Sequence, residues 1–427
     1  MNLTDHPLRY QLANELHARP FPTASAPGWA VFVALKPPQD AAARDREAER
    51  AHLLMLLDRF GTAHPQPGAT HWYGPLGRHW LKWESHTEFV TYTVIGTEPG
   101  GRPFDPAMFD VLPPDWLAAA PGARVTSALI QIETAEGDAE IATKAESWLV
   151  PESLAVSRVV DDELVVAGDF RIDVAGHMRF AVFARPGVSG ARVGRVIQRL
   201  CEIETYKAMA MLGYARARAL SPEMGTLDRR LTMLVAEMAG QGKAEEALHA
   251  LLDISADLEG VVARSSFRFG ATEAYEALVN QRIEALREER FDGFQTLAEF
   301  MARRFDPAMR TAASTRGRLQ AMADRAKRAG DLLRTRVDVE RSAQNQRLLE
   351  SMDRRADLAL RLQHTVEGLS VVAISYYAVG LALYLLGPLS HLIEKTLLAA
   401  VVTPLVVLAV WLGLGWARRR LNDSAHH

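Results

Sequence analysis

The chain has 427 residues, 48% hydrophobic and 24% charged, the composition of folded protein and enough length for two or three domains. A formal net charge of −3 lacks the basic surplus of a nucleic-acid binder, so no nucleic-acid partner is expected. Cys201 is the single cysteine, which excludes an internal disulfide, and the opening MNLTDHPLRYQLANELHARP has no basic segment leading into an apolar run, so it does not read as a signal peptide.

Residues 1 to about 28 are rich in proline and turn signals (HARPFPTASAPG) and read as an extended lead-in, with Glu15, His17 and Arg19 as a polar anchor. WAVFVAL, residues 29–35, is a strand by its β-branched and aromatic content, and residues 45–60 form an amphipathic helix. THWYGPLGRHWLKWESHTEFVTYTVIG predicts a meander of strands, with turns at 74–77 and 85–88. A short helix near 115–119 and the strands RVTSALIQIET, LVVAGDFRIDV and HMRFAVFAR follow. These elements predict a mostly antiparallel α+β domain over 1–188, its sheet covered by helices.

From 189 to 306 the pattern is helical, in four stretches at 191–212, 226–239, 244–258 and 271–288, and predicts an α-helical bundle leading into the stalk. A long stalk, one helix or two with a bend at Gly330, is predicted over 307–368. Two charge-free runs form a transmembrane hairpin over 369–417. LSVVAISYYAVGLALYLL ends at Gly387-Pro388, and LLAAVVTPLVVLAVWLGLGW occupies 397–416. Eighteen residues at about 1.5 Å each cross roughly 27 Å, close to the hydrocarbon thickness of a bilayer. Arg354, Arg355 and Arg361 precede the first run and Arg418, Arg419 and Arg420 follow the second, whereas the loop between them holds only Lys395. Both flanks are therefore expected in the cytoplasm.

A line at spacings of three and four begins at Leu349 and continues through Met352, Ala356, Ala359, Gln363, Val366, Ser370, Ala373, Tyr377, Gly380 and Tyr384. Such spacing implies a stalk continuous with the first span and packed on another helix. That helix belongs either to a second subunit of a homo-oligomer or to the second span of the same chain. Gln363, Ser370, Tyr377 and Tyr384 would then face the axis, and Glu394 in the outer loop is placed to attract a cation.

The other chemistry-bearing residues are sparse. If residues 80–86 form a strand, Trp80, Lys82, Glu84 and His86 share a face, making Glu84 and His86 a candidate ligand or metal site, although no standard ligand spacing is present. Gly187, Gly190 and Gly194 fit no phosphate-loop spacing and read as a turn, as does 240–243. Cys201 reads as a packed thiol. No enzyme and no cofactor is implied.

NELHARPF, KWESHTEF and QNQRLLESMDRRADLALRLQHTVEGLSVVAISYYAVGL resemble a bacterial family of uncharacterised membrane-anchored proteins, defined as a domain of unknown function. The resemblance covers nearly the whole chain and implies anchoring in a bacterial inner membrane, with no established activity. The layout is also similar to that of CorA-type divalent-cation transporters: a cytoplasmic α/β domain, a stalk helix continuing into a pore-lining span, a short outer loop and a basic C-terminus. Those transporters end the first span in Gly-Met-Asn, whose asparagine meets the hydrated ion. This chain departs from them there, with Tyr384-Leu385-Leu386-Gly387-Pro388. The expectation is a homo-oligomeric inner-membrane ion conduit of CorA-like layout. The alternative is a non-conducting anchored scaffold or sensor whose cytoplasmic domain binds a partner or small ligand.

Overall fold

A computed structural model describes residues 4–10, 13, 21–38, 44–96, 98, 101–238, 244–387 and 395–423. Strand β1 (Gly28–Lys36) is buried along its whole length, because GWAVFVALK sends apolar side chains to both sides. Ala30, Phe32 and Ala34 join one core and Trp29, Val31, Val33 and Leu35 another, so the sheet lies between two layers of helix.

β1 pairs on one side with β4 (Val90–Gly96), next to β3 (His79–Ser85) and β2 (His71–Leu76). On its other side it pairs with β5 (Ala123–Thr134). β8 (Met178–Ala184), β7 (Leu164–Gly168), β6 (Ala155–Val159) and the two-residue β9 (Glu289–Arg290) complete the order β2-β3-β4-β1-β5-β8-β7-β6-β9. The β5–β8 pair is parallel and the other pairs are antiparallel. The sheet is thus mixed, with the antiparallel majority that the strand spacing predicts. The turn expected at 74–77 is narrower, since β2 continues through Gly74, Pro75 and Leu76 and the chain reverses at Gly77 in the left-handed region.

One face carries α1 (Arg46–Arg59), a 3-10 turn (Pro106–Val111), α2 (Pro114–Ala118) and α3 (Asp138–Trp148). Asp45 caps α1, its carboxylate accepting from Ala48 N at 2.9 Å. The opposite face carries α4 (Gly190–Met238), α5 (Ala244–Leu286), α6 (Leu297–Arg304) and the start of α7 (Asp306–Leu385). Val196, Leu200 and Met209 of α4 and Val279 and Ile283 of α5 pack in the same core as Phe32 and Ile130, so the helices after residue 189 share the sheet's core rather than forming a separate bundle.

The four helical stretches of 191–288 are two long helices. α4 passes through Pro222, at the cost of one backbone hydrogen bond, because Leu220, Met224 and Leu227 on either side are buried. By contact, residues 1–242 with 249–330 make one compact unit, and 243–248 with 331–427 make a second.

Stalk and first apolar run are one helix: α7 continues past Gly330 and Gly368 to Leu385. Residues 338–370 are almost entirely exposed. α8 (Lys395–Asp423) carries the second apolar run. Two helices are long and apolar enough to cross a membrane, and their apolar windows are 6% and 0% buried, unlike the core helix of a soluble domain. The architecture is therefore an α+β domain with a long stalk helix and two apolar C-terminal helices.

Candidate functional site

β3 projects Lys82 and Glu84 onto the face covered by α4, and His86 follows just past the strand's end. Gln198, Cys201, Glu202, Thr205 and Tyr206 of α4 close the other wall of this cleft, and Glu84 and His86 both line it. Lys82 is 4% exposed, and its Nζ lies 3.1 Å from Glu84 Oε2, off the line of a hydrogen bond. An ammonium carries three donors, so the pair leaves hydrogen-bonding capacity unused. About 20 Å³ is open inside, which is the room of a water molecule rather than of a cofactor.

The surroundings are polar and charge-balanced. Glu204 accepts from Thr126 Oγ1 at 2.9 Å and from Lys207 Nζ at 2.6 Å. Glu202 accepts from Gln198 Nε2 at 2.7 Å and pairs with Arg282. Burial pushes the Cys201 thiol far up, with Glu202 adding to the effect, so the thiol is packed and unreactive. His86 stacks on Phe89, ring centroids 4.4 Å apart. Its loop is clamped from two sides: Arg44 donates to the carbonyls of His86 and Phe89, while Glu88 takes Arg268 and the Tyr275 hydroxyl. The string KWESHTEF thus builds one buried charge pair and one fixed loop.

The remaining histidines of that region disperse. His64 bonds Asp58 at 2.6 Å on the surface, and His79 lies against the Trp29 ring at 5.0 Å. Among the described residues no group of three or more His, Cys, Asp or Glu side chains is placed to hold a metal ion. Lys82 beside Glu84 already supplies the cation there.

The glycines before and within α4 serve packing. Gly187 takes φ +85° in the turn. A Cβ on Gly190 would lie 2.9 Å from the Ala24 carbonyl oxygen, and one on Gly194 1.8 Å from that of Pro22. The lead-in therefore rests directly on the helix, and Ala24 N donates to Gly190 O at 3.0 Å.

The second unit holds the membrane candidates. Along the apolar end of α7 the covered or partly covered positions are Val371, Ser375, Ala378, Val379, Ala382, Leu383 and Leu386, and along α8 they are Leu398, Ala399, Val402, Val406, Val410, Leu414 and Gly415. These positions form one stripe along each helix. At about 100° per residue, Ser370, Tyr377 and Tyr384 fall on the side of α7 away from that stripe. Tyr377 is 71% and Tyr384 88% exposed. Ser370 is exposed, its hydroxyl donating to Val366 O of its own helix at 2.8 Å. Gln363 is also exposed and donates to Glu367 at 3.2 Å. Glu394, the polar anchor Glu15, His17 and Arg19, and the turn at 240–243 lie outside the described residues.

The family described as "Protein of unknown function (DUF3422)" matches residues 4–421. The chain belongs to that family. The match runs from the lead-in through both apolar helices, so the sheet domain, stalk and apolar pair belong to a single family unit. No curated protein and no solved structure matches the chain.

Proposed function

We propose that this protein is a homo-oligomer anchored in the bacterial inner membrane, both termini cytoplasmic, whose stalks and first spans pack around a common axis. One observation carries the reading: the heptad line of α7 stays exposed from Leu349 to Tyr384, and in the apolar run it lies opposite the partly covered stripe of the helix. Leu349, Met352 and Val366 at 59–66% exposure are costly to leave in water on a lone helix, and a second copy of the same line supplies their cover. In lipid, Ala373 and Gly380 permit close approach of backbones.

An axis bordered by Gln363, Ser370, Tyr377 and Tyr384 gives the layout of an ion conduit of CorA-like build, with Glu394 drawing cations to its mouth. A second reading, a non-conducting anchored sensor or scaffold, is favoured by the sparse polarity of the line, since an aqueous pore needs polar groups or carbonyls throughout.

Cysteines replacing Ser370 and Tyr377 in a Cys201→Ala background separate these readings. Crosslinking between subunits is expected at both positions, and a monomer in detergent with no crosslinks overturns the assembly. Reaction with a charged thiol reagent, together with cation flux into liposomes, supports the conduit. Crosslinks without either leave the sealed anchor. Reporter fusions at Ser390 and after Leu421 should place the loop outside and the C-terminus inside.

A further inference from the structure

α4 opens GARVGRVIQRL, and Arg192, Arg195 and Arg199 recur at spacings of three and four, so they form one stripe along the helix. Gly190 and Gly194 are pressed against Pro22 and Ala24, which commits that side to packing. The arginine stripe borders a cleft completed by Val160 from the β6–β7 turn and by Ala285 and Arg287 from the end of α5. The open volume is about 390 Å³. That is within the range of small-molecule sites and far larger than the water-sized space beside Lys82.

The turn is built into the cleft. Val160, Asp161 and Asp162 have φ of +56°, +61° and +60°, a left-handed run that a β-branched residue adopts only when held. Val160 N donates to Leu286 O at 3.0 Å, which ties the turn to the end of α5. Asp161 lies 2.8 Å from Arg287, and Glu163 pairs with Arg192. Two of the four guanidiniums are thereby oriented by carboxylates. Arg195 and Arg199 have no ion-pair partner among the described residues. Arg199 is half-buried, and its pKa is lowered first by burial and then by Arg195, with Arg282 and Arg287 adding against the pull of Glu202.

We propose that this cleft is a binding site for a phosphoryl dianion, held by the unpaired guanidiniums of Arg195 and Arg199 between the paired Arg192 and Arg287. Two guanidiniums without an ion-pair partner match the charge of one phosphoryl group, and the planar guanidinium fork matches its oxygens. The ligand class is a phosphate-bearing small molecule, and the headgroup of an anionic phosphomonoester lipid offers the same chemistry. The inference does not depend on how the membrane segments assemble.

The test is calorimetric titration of the full-length protein in uncharged detergent at low salt. One arm uses pyrophosphate. The other uses dihexanoyl phosphatidic acid below its micelle concentration, with the matching phosphatidylcholine as control. Saturable binding of one pyrophosphate per chain is expected. Arg195→Gln and Arg199→Gln should each weaken it at least about tenfold, and Arg195→Lys should weaken it less, since the charge stays and the fork is lost. Arg195 is exposed, so its replacement leaves the core intact, which circular dichroism verifies. Binding of pyrophosphate alone assigns a soluble phosphorylated ligand. Displacement of pyrophosphate by the phosphatidic acid, but not by the phosphatidylcholine, assigns a lipid headgroup. Saturation by neither anion overturns the proposal, as does unchanged affinity in a folded Arg195→Gln/Arg199→Gln variant.

Discussion

His52 joins α1 to α2 by a reciprocal pair of hydrogen bonds. Its Nε2–H donates to the Trp116 carbonyl at 2.8 Å, the Trp116 indole donates back to the His52 carbonyl at 2.7 Å, and the two rings stack at 3.9 Å. The carbonyl partner fixes the tautomer, leaving Nδ1 to accept from the Tyr92 hydroxyl. Burial lowers the His52 pKa despite that carbonyl, and burial likewise lowers His177, stacked on Phe109. In the unfolded chain both titrate near about 6.5. Their neutral forms therefore stabilise the fold above that pH, and the contribution is lost as pH falls through the lower folded values. The expected thermal midpoint is level between about pH 7 and 8 and declines below about 6.5, with a shallower decline in His52→Gln. Scanning calorimetry over this range checks it, and an equal slope in the variant would remove His52 from the account.

Glu84→Gln strands an ammonium that is 4% exposed and should cost about 3–5 kcal/mol. Lys82→Met/Glu84→Leu should recover most of that loss in denaturant titrations. Strand parity placed these two side chains and His86 on one face from sequence alone. The α4 wall opposite was not legible, because Gln198 to Tyr206 come from a helix more than a hundred residues away and nothing in RLCEIETY announces its partner. The arginine stripe of α4 was not singled out from the sequence, because its meaning needs the β6–β7 turn beside it.

At the scale of elements, two helices meet at Gly213. A Cβ there would lie 2.0 Å from Thr272 Oγ1, whose hydroxyl donates back to Arg268 O within α5. Gly213→Ala should push α4 from α5 and cost about 1–3 kcal/mol in spite of alanine's better helix propensity. A thermal midpoint equal to the wild type would show that the helices yield freely. Most elements were legible because their periodicity is local. GWAVFVALK, the capped helix after Asp45 and the long ARVTSALIQIET carry their own pattern. β6, only five residues of AVSRV, and α3 were missed, as both are short and settle by packing on β7 and on the sheet. The continuity of α4 and α5 was hidden by Pro222, Gly260 and Gly270, local breakers that tertiary burial overrides.

For the whole molecule, the compact unit that carries the sheet ends at Gly330 by contact, while the sheet core draws its last residue, Met309, from the first turn of α7. A fragment ending near Glu350 keeps both and omits every residue of the apolar pair. It should be soluble, with circular dichroism of mixed helix and strand. Persistent aggregation of such fragments would mean that the stalk's exposed apolar line must find its partner before the domain is stable.

The position of Met309 also sets an order of manufacture. Every residue of the sheet's two cores has been synthesised by that point, and the first apolar run begins sixty residues later, at Leu369. At about 5–20 residues per second the ribosome takes about 3–12 s over that stretch, longer than most domains of mixed α/β build need to fold. The nascent chain therefore carries a folded head before its apolar helices emerge. Under the proposed anchoring, insertion of those helices has to accommodate a finished globule followed by a charged helical tether rather than an unfolded thread.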